Sequence, residues 1–371
     1  MKVRLGDYIK EYTVRNKSLE DIPVYSVTNR EGFCTGYFDK DVASQERSTY
    51  KIVPKGCFAY NPSRINVGSV DWQRHLDRVI VSPLYVVFSV SPDLLPQYLF
   101  YFLKSDISLT FIRSAATGSV RDNLKFSMLQ EFPIEIRTVE KQAEIVAILD
   151  KVKAICDLYQ RKLDILDKLI KARFVEMFSN RGYTLVKLGK VCSRITDGTH
   201  KTPTYLQDGV TFISAKNIIN GELNFSDVKY ISEAEYQEIQ NRCQTERLDI
   251  LLSKSGSLGS PAIVRTEIKL GLFESLAVLK YDRKQLLPEF LCEQLKTESI
   301  QRQFTLGTKG VAIKHLHLGV IADTDIIIPP ISEQKEFADF VKQVDKSKVV
   351  VQKALDEAKL LFDSLMQKYF C

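Results

Sequence analysis

Histidine, the residue most often found in metal and acid–base sites, occurs four times in this chain, as His75, His200, His315 and His317. His315 and His317 stand two apart, a spacing that shares a face only on a strand. No carboxylate or cysteine lies close in sequence to complete a metal set. The chain has no phosphate-binding P-loop, dinucleotide-binding glycine fingerprint, zinc-protease HExxH or GxSxG nucleophile elbow. Asn61-Pro62-Ser63-Arg64 begins like the Asn-Pro-Pro-aromatic motif of amino-methyltransferases, which needs its second proline and an aromatic to stack on an extruded base. Ser63 and Arg64 supply neither, so a turn is expected. The run Ser253-Lys254-Ser255-Gly256-Ser257-Leu258-Gly259-Ser260 could face a phosphate with its backbone N–H groups, or simply connect a tight hairpin. No catalytic constellation emerges, and neither a metal nor a cofactor is expected.

Composition narrows the class further. The 371 residues carry a net charge of +6, with 44% hydrophobic and 26% charged residues, which is enough apolar material for sizeable cores. The longest apolar stretch, 79–90, is broken by Ser82, Pro83 and Ser89, well short of the ~20 residues a bilayer span needs. The N-terminus has no apolar signal core, and a cytoplasmic protein without membrane partners is expected. The cysteines (Cys34, Cys57, Cys156, Cys192, Cys243, Cys292, Cys371) are odd in number and scattered, as suits reduced thiols.

The chain repeats itself. Val3-Arg4-Leu5-Gly6 recurs as Val186-Lys187-Leu188-Gly189, an offset of 183. Further on, the offset settles at 192: Pro96-Gln97-Tyr98-Leu99 matches Pro288-Glu289-Phe290-Leu291, Leu124 matches Leu316, Gln142 matches Gln334 and Phe178 matches Phe370. The second copy therefore carries extra residues before Pro288. Within 140–178, Ile145, Val152, Tyr159, Leu166 and Arg173 recur every seven residues, as do Leu149, Cys156, Leu163, Ile170 and Met177. Adding 192 gives Phe337, Val344, Val351, Ala358 and Leu365, and Val341, Lys348, Leu355, Phe362 and Tyr369. All but Arg173 and Lys348 are apolar or aromatic, and a heptad period held this long predicts a coiled-coil seam. Its expected core includes Ile145, Val152, Tyr159, Leu166, Val344, Val351, Leu355 and Phe362. Thr138 and Ser332 are the expected N-caps.

A helix of about 38 residues is roughly 57 Å long. Only a few residues separate the first helix from the second copy, so the second helix can bury its stripe against the first only by running back antiparallel. The expected fold class is α+β: two mixed α/β globular units, 1–138 and 183–331, separated by a long antiparallel two-helix coiled coil built from 139–182 and 332–371. A pseudo-two-fold would relate the halves. Short strands are expected at 79–81 and 211–213, and helices at 99–112 and 290–304. A rod of that length spans roughly 17 base pairs, which suits two readers on one face of a duplex. A non-catalytic coiled-coil scaffold, or a DNA-binding adaptor with no enzyme attached, is the rival reading.

Asp197-Gly198-Thr199-His200-Lys201-Thr202-Pro203 opens the second unit. Together with 212–218, 249–259 and Pro329-Pro330-Ile331-Ser332-Glu333-Gln334, it resembles the specificity subunit of type I restriction–modification systems, and the resemblance covers essentially the whole chain. It implies that each globular unit is a target-recognition domain reading half of a bipartite DNA sequence. It also implies double-stranded DNA, two modification (methyltransferase) subunits and restriction (endonuclease/translocase) subunits as partners, with catalysis and its cofactors residing in those subunits. The first unit departs from the second: it has 12–17 where the second has the Asp-Gly-Thr-His segment, and it lacks the double proline. Groove and phosphate contacts call for Arg, Lys, Asn and hydroxyl groups. The candidates are Arg64, Asn66, Arg74, Arg121 and Lys125 in the first unit. In the second they are His200, Lys201, Lys216, Asn217, Lys254, Ser255, Lys309 and Lys314.

Overall fold

In the computed structural model, residues 2–35, 47–116, 123–179, 181–308 and 315–371 are described. They form two compact units, and the two long helices belong to both. One unit comprises 1–160 with 352–371, the other 161–351. The long helices are Val139–Phe178 and Ile331–Phe370, each 40 residues.

Each unit is built on a four-stranded antiparallel sheet of the same topology. In unit 1 the order is Ile9–Glu11, Val86–Val90, Phe58–Tyr60, Val70–Trp72. In unit 2 it is Cys192–Asp197, Leu276–Tyr281, Ile250–Ser253, Pro261–Ile263. A short pair closes each copy: Val3 lies opposite Ile134, and Val186 opposite Ile326. The Leu-Gly repeat follows from the turn beside that pair. A Cβ on Gly6 would stand 2.8 Å from the Gln130 Cβ, and one on Gly189 3.0 Å from the Ala322 Cβ, so in both copies glycine lets the chain pass its neighbour without displacing it. The sequence between the repeated segments builds different second layers. Unit 1 has two-stranded pairs, Ser26–Thr28 with Gly32–Cys34 and Lys51–Pro54 with Arg78–Val81. Unit 2 has a three-stranded sheet, in which Val210–Ile213 runs antiparallel to Lys229–Ile231 and parallel to Leu270–Leu272, and the helix Glu233–Arg242. The extra residues of the second copy lie before Pro288, in this layer.

The single helices expected at 99–112 and 290–304 are each two helices. Pro96–Lys104 is followed by Asp106–Ala116, and Pro288–Leu295 by Glu298–Gly307. The break has one cause in both copies. The Ser105 hydroxyl donates to the Phe102 carbonyl (2.6 Å) and the Thr297 hydroxyl to the Gln294 carbonyl (2.7 Å), a local bond that competes with helix continuation. The second long helix also starts earlier than expected. Thr138 Oγ1 accepts from the Lys141 N–H, but the matching residue is Pro330, whose carbonyl accepts from the Glu333 N–H at 3.0 Å. Ser332 therefore sits inside the first turn and is not the cap.

A buried glutamine ties each long helix to its sheet unit. Gln142 Oε1 accepts from the Leu95 N–H (2.8 Å), and its Nε2 donates to the Asp93 and Arg137 carbonyls (2.8 Å each). Gln334 repeats the pattern with Leu287 (2.9 Å), Gln285 and Pro329 (2.8 Å each). Every partner is displaced by 192 residues. Each core is completed by the far end of the other copy's helix: Tyr98 packs on Phe370 at 5.1 Å in unit 1, and Phe290 on Phe178 at 4.9 Å in unit 2. Within unit 2, Phe174 meets Phe337, Arg173 pairs with Glu336 and Asp167 with Lys348. One series falls as the other rises, so the two helices run antiparallel. Ile145, Val152, Val344, Val351 and Leu355 are buried, and Tyr159, Leu166 and Phe362 half-buried. Lys348, at a heptad position, turns its ammonium out to Asp167.

Candidate nucleic-acid interface

In unit 2 the strand Cys192–Asp197 ends on a carboxylate that the fold buries. Asp197 accepts from the Lys254 ammonium and from Arg242 Nη2 at 2.6 Å, and His200 Nε2 lies 3.3 Å from its other oxygen. Burial by itself would raise the Asp197 pKa. The hydrogen bonds from Lys254 and Arg242 and the charges of Lys254 and His200 outweigh it and hold the carboxyl below its ordinary range. Lys254 also faces Glu274 at 3.8 Å, and its carbonyl accepts from the Leu316 N–H at 2.8 Å. Only 2% of Lys254 is exposed. The pair thus pins three segments from beneath: the turn 198–201, the loop 255–260 and the chain at Leu316.

Unit 1 solves the same position differently. There the carbonyl of Pro62 accepts from the Leu124 N–H at 3.1 Å. Because Leu124 matches Leu316, Pro62 stands where unit 2 has Lys254. Asn61 Oδ1 accepts from the Ser63 N–H (3.1 Å), and the Asn61 carbonyl from the Arg64 N–H (3.0 Å), so the Asn-Pro-Ser-Arg run is a turn. The anchoring acid is Asp71, which accepts from the Phe33 N–H (3.1 Å), the Trp72 N–H (2.9 Å) and Arg74 (2.8 Å). The Arg74 guanidinium also lies 4.2 Å from the centre of the Trp72 ring.

Two of the candidates are structural. Lys254 is held by Asp197. Asn217 is buried, its Oδ1 accepting from the Ser214 N–H and its Nδ2 donating to the Asn224 and Asp227 carbonyls. A buried lysine persists only when paired, and a buried amide only when bonded, so neither side chain faces outward as expected. Arg64, Arg74, Lys125, His200, Lys201 and Lys216 are exposed, and Asn66 and Ser255 half-buried. Lys216 pairs with Asp227 at 2.9 Å. Arg121, Lys309 and Lys314 lie outside the described residues. The structure brings Lys216 and Ser255 together on one concavity of 740 Å³ in unit 2, and sets Arg64 on another of 510 Å³ in unit 1. Arg242 and Asp71, which organise these surfaces, were not among the candidates. An acid at a strand end, as in the Asp-Gly-Thr-His segment, was the available signal for Asp197, but nothing in the sequence joins it to a residue 45 positions away.

Comparison with known proteins fits this duplicated architecture. The family model for the type I restriction modification DNA specificity domain matches residues 4–168 and again 180–358, so the chain belongs to that family and carries two copies of its domain. It is 28% identical over 169 residues to the EcoBI specificity subunit of Escherichia coli, covering 44% of this chain and 35% of that protein. It is 21% identical over 275 residues to the MjaVIII specificity subunit of Methanocaldococcus jannaschii, covering 67% and 63%. The matches thus span less than two thirds of either relative. In fold it is similar to the S subunit of a type I restriction–modification system from M. genitalium (TM-score 0.57, 16% identity, 100% of this chain and 96% of that one). It is equally similar to a chain from a structure describing complex assembly and conformational transition of a type I system (TM-score 0.57, 17% identity, 100% and 97%). Among the described residues no helix is long and apolar enough to cross a membrane.

Proposed function

We propose that this chain is the DNA-reading subunit of a type I restriction–modification complex, with each unit taking one half of a bipartite target. The observation that carries the reading is the duplication: two specificity-domain matches on two copies of one sheet-and-helix frame, whose differences concentrate in the layer and loops around the two concavities. Phosphate and base contacts are supplied by exposed or half-buried donors of the two units: Arg64, Asn66, Arg74 and Lys125 in unit 1, and His200, Lys201, Lys216 and Ser255 in unit 2. Arg121, Lys309 and Lys314 are assigned the same role from sequence.

Catalysis belongs to partner subunits in a cytoplasmic complex: adenine methylation to the modification subunits, cleavage and translocation to the restriction subunits. The long helices offer them surface. Ile155 and Leu158 with Leu360 and Leu361 in unit 1, and Ile165 and Leu169 with Val349 and Val350 in unit 2, are exposed apolar residues, and apolar groups gathered on exposed helix faces mark interaction sites. Two measurements test the reading together. Expression of the full chain beside modification subunits should yield a co-purifying complex, and mapping methylated adenines should show two short blocks separated by an unread spacer. A chain that purifies alone and binds no duplex would leave only the scaffold reading. Methylation in one continuous block would overturn the assignment of one half-site to each unit.

A further inference from the structure

The loop 255–260 of unit 2 connects the paired strands Ile250–Ser253 and Pro261–Ile263, and three of its six backbone donors are spent. The Leu258 N–H donates to the Gly256 carbonyl (2.8 Å), Gly259 to Ser253 (2.8 Å) and Ser260 to Ser257 (3.1 Å). The N–H groups of Ser255, Gly256 and Ser257 make no hydrogen bond among the described residues. Three successive donors on a glycine-led turn form a concavity suited to an anion, and Gly256 has the left-handed φ of +69° that such a turn needs. A Cβ at Gly256 would meet nothing within 4 Å. The loop borders the 740 Å³ concavity, whose rim adds Ser214, Lys216 and Ser260. Glu274 lies in the same wall with its carboxylate directed to Lys254 (3.8 Å) and His315 (3.6 Å).

Unit 1 provides an internal control. Its 510 Å³ concavity occupies the same place in the frame, bounded by the turn after strand Ser26–Thr28, the loop after Phe58–Tyr60, and Tyr85 just before Val86–Val90. There two of the three matching donors are spent: the N–H groups of Ser63 and Arg64 are bonded to Asn61. The frame can therefore close this turn on itself, and in unit 2 it does not. Where unit 2 leaves the Gly256 N–H, unit 1 places the guanidinium-bearing Arg64, so both copies direct donors to one spot by different means.

We propose that the 255–257 turn of unit 2 binds a backbone phosphodiester of duplex DNA through its three N–H groups, with Lys216 as the flanking cation and Arg64 serving the same purpose in unit 1. The proposal rests on the DNA-reading assignment and names the ligand group of one of its sites. It predicts a contact that positions the duplex without reading sequence.

Gly256→Asp and Gly256→Asn give a direct test. Both side chains tolerate positive φ, both enter open space, and they differ by one charge. Binding by the full-length chain, with any modification subunits that co-purify, is measured on target and unrelated duplexes between about 50 and 200 mM salt. Gly256→Asn, which adds a side chain of the same size without charge, sets the steric baseline against which the charge is read. Gly256→Asp should lose about tenfold at low salt, equally on both duplexes, and lower the slope of log K against log salt by about 0.9, one phosphate's worth. A neutral methylphosphonate at the contacted position should abolish the difference between the two variants. Gly256→Asp binding like Gly256→Asn would overturn the proposal, as would a loss confined to the target duplex, which signals base readout. Thermal melts of both variants separate these outcomes from misfolding. A folded wild-type chain that binds no duplex would instead sink the DNA-reading assignment itself.

Discussion

Lys104 and Lys296 stand at matching positions of the two units and live in opposite surroundings. Lys104 donates to the Gly68 carbonyl and to Asn29 Oδ1 (3.1 Å). Burial lowers its pKa to about 8, the charge of Asp71 opposing and that of Lys153 adding to the shift. Lys296 bonds Glu293 at 2.5 Å. Burial would lower its pKa too, but Cys292 and Glu293 outweigh that and raise it. At the position matching Glu293, unit 1 has Tyr101, whose hydroxyl donates to Asp150. Duplication thus carried over the lysine and its helix but not its counter-charge. The frame preserves what docks the helices, as the two glutamines show, and leaves free what faces the loops. A buried ammonium with an acid partner is a fixed structural ion, whereas one held by neutral oxygens can titrate.

The sharpest way to break the comparison is Lys254→Met. Removing one partner of a buried pair leaves Asp197 under-compensated beneath the unit 2 loops, at a cost of about 3–5 kcal/mol, which chemical unfolding will register. The double variant Asp197→Asn with Lys254→Met should recover part of that loss. Pro62→Ala, at the same place in unit 1, should cost less than about 1 kcal/mol. Equal effects at the two positions would show that the units are held alike.

Next in size come Gln142→Ala and Gln334→Ala. Each strands one buried N–H and two carbonyls, for about 2–3 kcal/mol. The two should match within about 0.5 kcal/mol because the bonds match. A twofold difference would mean that the frame is not equivalent in the two copies.

The smallest effect is one of slope. Because the Lys104 pKa is lower in the folded state, the unfolded chain binds more protons between about pH 8 and its ordinary value of 10.5. Stability therefore gains a contribution that grows as pH rises through that window. Lys104→Met should flatten the unfolding midpoint against pH there. For Lys296, whose pKa is raised, the stabilising contribution is complete below the unfolded value and lost only as pH climbs through the folded one. Lys296→Met should therefore remove stability across the neutral range without reproducing the Lys104 slope.

Much of this architecture can be read from residue order alone. The repeat, its change of offset and the heptads at Ile145, Leu149, Val341 and Val344 follow from local periodicity, because a helix or strand turns sequence spacing directly into a face. The glycines of the two Leu-Gly segments and the glutamines at Gln142 and Gln334 also show as repeated letters, although their reasons, a close approach to Gln130 or Ala322 and three hydrogen bonds to backbone groups, do not. The helix breaks at Ser105 and Thr297 were hidden because one hydroxyl decides them. Tertiary structure decided which polar residues face outward. Lys254 and Asn217 look like surface donors in sequence, but the meeting of strands 57 residues apart buries Lys254 against Asp197, and the chain folding back at Asn224 and Asp227 encloses Asn217. Residue type sets the capacity to bond. Long-range packing determines whether the fold or a ligand uses it.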